Sequence, residues 1–179
     1  SPVLFPFPKD ETFAAARGNM VIIDDVIYAV CYNRWAVTWL EKSEDFGRSW
    51  EVVSWLDERL WTNQIECGRI NEASLGYYDG KMYVVGRQQS ENGDNRLEIG
   101  VSEDLGVTWT WSFLPIEGHA PSLTPYKDAF ILTYRNVKDS NRGKYSFDTV
   151  LLKDGKLASN PASLFESDNF DVGYGDVLT

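Results

Sequence analysis

The chain is short of the residue types on which most catalytic and metal sites are built. Two cysteines and one histidine in 179 residues exclude a disulfide scaffold and argue against a histidine-built zinc centre. Cys31 and Cys67 lack metal-ligand spacing, and Val30-Cys31-Tyr32 reads as a strand with a buried thiol. Cationic residues are scarce too: 17 Lys and Arg stand against 27 Asp and Glu, a net charge of −10. That balance argues against nucleic acid and anionic membrane surfaces as partners, since both select an excess of Lys and Arg. No run approaches the roughly 18 apolar residues of a membrane-spanning helix. A phosphate-cradling glycine loop, paired metal ligands and a Ser-His-Asp set are all missing, and no cofactor is implied. Helical periodicity is also missing, because no long segment keeps apolar residues at i, i+3, i+4 and i+7. Ser1 in place of Met is expected where a start codon, leader or tag has been removed.

What the chain does have is aromatic residues, 14% of the total with seven Trp. Short runs of Val, Ile, Tyr and Trp alternate with Asp-Gly, Asp-Asp and Asn-Gly turns, a pattern that reads all-β. Comparing the sequence with itself exposes a repeat. Ser43-Glu44-Asp45-Phe46-Gly47-Arg48-Ser49-Trp50 returns as Ser102-Glu103-Asp104-Leu105-Gly106-Val107-Thr108-Trp109. Each position has a job: Asp accepts backbone N–H bonds within its own turn, Gly supplies a positive φ, and Trp covers the loop.

A second repeat surrounds the first. Strand, tight turn, strand is the reading for Met20–Val30 about Asp24-Asp25 and for Ala73–Val85 about Asp79-Gly80. The same reading holds for Pro121–Tyr134 about Lys127-Asp128. Four antiparallel strands per unit of roughly 50 residues make a propeller blade. The expectation is an all-β propeller domain, or part of one, with blades near 17–60, 70–115 and 119–167. A further blade would start over 173–179. Three blades cannot close a ring without exposed edges, so further chain or a second copy is expected to supply the rest.

The Ser-x-Asp-x-Gly-x-(Ser/Thr)-Trp segments resemble the Asp-box, or BNR repeat, of the sialidase (neuraminidase) superfamily, whose members are six-bladed β-propellers. The resemblance implies an exo-acting glycoside hydrolase that removes a terminal acidic sugar from a glycoconjugate. It also implies a secreted or cell-surface setting. Arg17, Glu72, His119-Ala120 and Tyr174 stand at the starts of successive inner strands, which converge on one mouth of the central channel. Gly173-Tyr174-Gly175-Asp176 is similar to the segment bearing the family's tyrosine nucleophile. Asn71-Glu72, Asp79-Gly80-Lys81 and Arg87 are similar to its glutamate, turn and arginine. By this resemblance Glu72 would take the proton of Tyr174, whose hydroxyl is otherwise a poor nucleophile. Arg87 would clamp the substrate carboxylate, joined by Arg142 or Arg135, with Arg17 as a further candidate.

The chain departs from that pattern in one respect. The loop after the first return strand, Asn33-Arg34-Trp35-Ala36-Val37-Thr38-Trp39, has no aspartate to serve as acid/base. Asp24 and Asp25 fall at the opposite hairpin turn. Arg34, Trp35 and Trp39 could form a sugar-stacking surface or belong to the core, and His119 reads as a hydrogen-bonded channel residue. A non-catalytic carbohydrate-binding or scaffold propeller therefore stands beside the hydrolase.

Overall fold

A computed structural model describes residues 14–16, 19–33, 37–56, 69–89, 95–137 and 144–169. Every regular element among them is a β-strand, and every strand pairing is antiparallel. In the first unit, β1 (Ala14–Ala16) and β2 (Val21–Ile23) both pair with β3 (Val26–Asn33). β4 (Thr38–Ser43) and β5 (Glu51–Trp55) then follow outward. The second unit runs through β6 (Arg69–Tyr78), β7 (Lys81–Gln89) and β8 (Arg96–Ser102) into β9 (Thr110–Tyr126). β9 belongs to two blades. Its first part pairs with β8 as the outer strand of one blade, and its second part pairs with β10 (Ala129–Asn136) as the inner strand of the next. β11 (Tyr145–Lys153), β12 (Lys156–Leu157) and β13 (Ala162–Ser167) complete the third unit. The chain is thus an all-β partial propeller. The strand expected over 173–179 lies outside the described residues.

Turn chemistry sets the hairpins. Asp24 and Asp25 have φ of 48° and 65°, and Asp79 and Gly80 have 49° and 75°. Two successive positive-φ residues give the mirror-image turn whose twist matches that of paired strands.

The two Ser-x-Asp segments, which join β4 to β5 and β8 to β9, are one structure built twice. Ser49 N–H donates to Asp45 Oδ1 at 2.7 Å, and Thr108 N–H donates to Asp104 Oδ1 at 2.9 Å. The hydroxyls of Ser49 and Thr108 reach the second carboxylate oxygens at 2.7 and 2.6 Å. Gly47 and Gly106, at φ of 81° and 87°, donate N–H to Ser43 and Ser102 Oγ at 2.8 Å. Trp50 and Trp109 close the loops by donating indole N–H to the carbonyls of Gly47 and Gly106. Donors crowd Asp104 so fully that its carboxyl is held down at about 2.

Two cores lie between the three units. Tyr28, Val30 and Leu40 pack against Ile70, Leu75, Met82 and Val84, while Val85, Leu97 and Ile99 pack against Leu123, Leu132 and Val150. Trp39 is fully buried against Trp55, which settles its role as core; Arg34 and Trp35 lie outside the described residues. Cys31 is buried and its thiol donates to the buried Glu41 at 3.2 Å. Burial, with that carboxylate beside it, raises the thiol's pKa. Cys67 lies outside the described residues.

The paired turns supply an internal control. A Cβ on Gly47 would meet nothing closer than 3.7 Å, whereas one on Gly106 would lie 2.0 Å from Leu40 Cδ2 of the neighbouring blade. Alanine at either glycine incurs the left-handed backbone penalty of about 1–2 kcal/mol. Gly106→Ala should add about 1–3 kcal/mol of overpacking. Urea denaturation of the two variants should show that gap, and equal losses would mean that the turn does not press against Leu40.

Candidate functional site

The inner strands of the second and third units carry the same irregularity at the same place. Asn71 pairs with Arg87 and Ser74 with Val85, so Glu72 and Ala73 together face Gly86. One blade on, His119 pairs with Arg135 and Ser122 with Thr133, so Ala120 and Pro121 face Tyr134. Each is a β-bulge, a device that re-aims side chains. The first bulged residue of each, Glu72 at φ 49° and Ala120 at φ 54°, is left-handed without being glycine. Backbone strain of this kind persists only where surrounding contacts impose it.

Those contacts run from blade to blade. Glu72 Oε2 accepts the Ala120 N–H at 3.0 Å, joining one bulge to the next. Ser74 Oγ accepts the Leu123 N–H at 3.0 Å, and Asn19 Nδ2 donates to the Leu123 carbonyl at 2.8 Å. The Thr38 hydroxyl donates to the Ile70 carbonyl, tying the first blade to the second. Glu72 also faces Arg87, with Nη1 3.6 Å from Oε2 and both side chains mostly buried.

His119 and Arg135 continue the cluster. Both are buried, and the His119 ring meets Asn95 Oδ1 at 3.0 Å through Nε2. An amide oxygen only accepts, so Nε2 carries the proton. Asn95 also accepts the Gly118 N–H through its carbonyl at 2.8 Å, fixing the strand on which the histidine sits. Burial, followed by the positive charges of Arg87 and Arg135, lowers the His119 pKa to about 4. The ring is therefore neutral at pH 7. On the opposite face of β10, buried Asp148 accepts from Asn136 Nδ2 at 2.7 Å.

The sequence-derived candidates divide accordingly. Glu72 and Arg87 stand together, and Arg135 lies close enough to share the field at His119. Arg17, Arg142 and Tyr174 lie outside the described residues. Asn95 and Asp148 escaped the sequence reading. Asn95 sits in a polar loop with no motif around it, and Asp148 lies in a strand otherwise unremarkable in composition.

No protein-family model matches the chain, and no curated protein matches it by sequence. Solved structures do match in fold. An α-L-arabinofuranosidase from Fusarium graminearum, bound to an iminosugar inhibitor, is 20% identical with a TM-score of 0.66, over 87% of this chain and 49% of that one. The α-L-arabinanase of Penicillium chrysogenum complexed with arabinobiose is 16% identical at TM-score 0.70, over 92% and 53%. A β-xylosidase is 13% identical at TM-score 0.67, over 87% and 60%. The chain thus spans about half the length of these β-propeller structures. They overturn the sialidase resemblance: the matched propellers are of arabinanase and xylosidase type, and neither a family model nor a curated sequence supports sialidase or BNR-repeat membership. The tyrosine-nucleophile role drawn for Tyr174 rested on that resemblance and falls with it.

Two measurements test the cluster. Because the chain has one histidine, its imidazole proton resonance identifies itself in an NMR titration. The midpoint should fall near 4, not near the ordinary 6.5. An unfolded chain binds that proton first, so the histidine's contribution to stability is complete above about pH 6.5 and is lost as pH falls towards 4. A midpoint above 6 would mean a solvated ring. Glu72→Ala removes the acceptor for the Ala120 amide and should lower stability by about 1–3 kcal/mol. Glu72→Gln keeps an oxygen there and should lose less in the same urea series.

Proposed function

We propose that the chain is part of a carbohydrate-active β-propeller of the glycoside hydrolase kind, binding its sugar at the channel mouth formed by Glu72, Arg87, His119 and Arg135. The observation that carries the reading is the strained bulge at Glu72, whose carboxylate meets both the Ala120 amide of the next blade and Arg87, with Arg87 and Arg135 close enough to act together on buried His119. The fold of arabinose- and xylose-processing enzymes supports it. Further chain or a second copy supplies the remaining blades. In this role Glu72 handles a proton or orients water at the glycosidic bond, and Arg87 holds sugar oxygens. Two arginines favour a glycan that bears a carboxylate, because guanidinium forks match carboxylates bidentately.

One observation favours a second reading, a propeller that binds sugar without cleaving it. The loop 33–39 has no aspartate, and Glu72 is already engaged by an amide and a guanidinium. Hydrolysis ordinarily needs two carboxyl groups.

Aryl α-L-arabinofuranoside and aryl β-xyloside turnover, with calorimetric binding of arabino- and uronate-substituted xylo-oligosaccharides, distinguishes the two. For a hydrolase, Glu72→Gln should cut kcat at least tenfold with KM little changed. Arg87→Ala should weaken binding by about 1.5–3 kcal/mol, roughly 10- to 150-fold, most strongly for the uronate-bearing ligand. Binding through Arg87 without turnover would favour the second reading. If neither turnover nor Arg87-dependent binding is found, both are wrong.

A further inference from the structure

The second Ser-x-Asp turn carries more aromatic surface than its own construction requires. Both turns close with a single tryptophan, Trp50 in one and Trp109 in the other. Two residues on, the first unit has Val52 while the second has Trp111. Trp111 lies across Gly100 of the paired strand, where a Cβ would come within 2.7 Å of its ring. Trp109 and Trp111 stand with ring centroids 5.9 Å apart and planes tilted by 31°. They face the outermost strand of the first blade, where Ser54 accepts the Trp109 indole N–H at 3.1 Å and donates to the Gly106 carbonyl at 2.5 Å. Trp55 and Leu56 form the far wall, and exposed Thr108 stands at the lip.

The result is an interblade groove of about 290 Å³ whose described lining holds no charged residue. We propose that this groove is a second carbohydrate site, taking a residue of a neutral oligosaccharide. Three features select that ligand. Its volume of about 290 Å³, just below the usual ~300–1,000 Å³ range for ligand pockets, suits one or two sugar rings. Aromatic faces attract the weakly positive C–H face of a sugar through the ring quadrupole. A charged ligand would lose hydration with no countercharge among the described lining residues to replace it. The turn folds in the first blade with valine where Trp111 stands, and both rings here also pack on the core between the first two blades, so the groove lies where that packing reaches the surface. The site lies at the outer rim, away from the bulge cluster, and would hold a glycan chain without cleaving it.

The test is isothermal titration of the protein with xylohexaose and arabinohexaose, alongside size-exclusion chromatography. Trp111→Val copies the first blade and should weaken binding at least tenfold. Val107→Arg, at a lip residue 61% exposed, should obstruct the groove without touching the core and do the same. Arg87→Ala should remove only binding at the proposed mouth and leave the component of binding that Trp111→Val abolishes unchanged. Groove binding that persists in a protein with no turnover would sink only the hydrolase reading. Val107→Arg binding as tightly as wild type, or all binding vanishing with Arg87→Ala, would overturn the groove proposal. So would a change of oligomeric state in Trp111→Val with no sugar bound by wild type, since the groove would then join copies of the chain.

Discussion

The hydrogen bond from the Ala120 amide to Glu72 is the contact on which the joint between the second and third blades depends. The inner strands β6 and β9 lie side by side without a backbone ladder between them among the described residues. A buried amide left without an acceptor costs about 1–3 kcal/mol, so side chains must do what a ladder does inside a blade. Glu72 serves the bulged amide, Ser74 serves Leu123, and Asn19 reaches the Leu123 carbonyl. Each of these bonds joins two different blades, so the polar bonds that satisfy the backbone also fix the blades' relative positions. Glu72 is thus structural before it is chemical. Its left-handed backbone is the geometric condition for its carboxylate to face the next blade.

Around this joint, the two repeats solve one packing problem in opposite ways. In the second unit Gly86 on β7 leaves room for Ile70 on β6, since a Cβ there would fall 1.9 Å from Ile70 Cγ2. In the third, the inner strand carries the glycine: Gly118 makes room for the ring of Tyr134 on β10. Large and small residues have exchanged strands while the filled space is kept. Total volume, and not residue identity at a position, is what a close-packed interior conserves.

That exchange explains what was legible in the sequence. Hairpins and Ser-x-Asp turns could be read because their physics is local: donor, acceptor and positive-φ residue lie within a few positions of one another. Strand order followed from the repeat. The bulges could not be read, because Glu72 and Ala120 look like ordinary strand residues until each is seen against its cross-strand partner. Asn95 was equally invisible, its role being to hold His119 from a loop with no signature. The sialidase resemblance failed for a related reason. A turn motif records how two strands are joined, and propellers of different activity can join strands in the same way. Locating Arg87 beside Glu72 needed only the register of one hairpin; identifying a nucleophile needed chemistry that the motif does not contain.

The electrostatics of the mouth follow from burial and not from the chain as a whole. His119 stays neutral because desolvation and two neighbouring guanidinium groups oppose its protonation. Had it been charged, it would add a third cation beside Arg87 and Arg135. The neutral ring lets Arg87 approach Glu72 while Arg135 remains buried nearby. The chain's net charge of −10 works against long-range attraction of an anionic glycan, and physiological salt screens exposed charges beyond about 8 Å. Any acidic sugar would therefore be recognised on contact and not by steering, so its affinity would lie in dissociation more than in association. A neutral sugar would suffer no such opposition at either of the proposed sites. The net negative charge would thus penalise anionic glycans in encounter, and Arg87 and Arg135 could recover that loss only after the sugar had arrived.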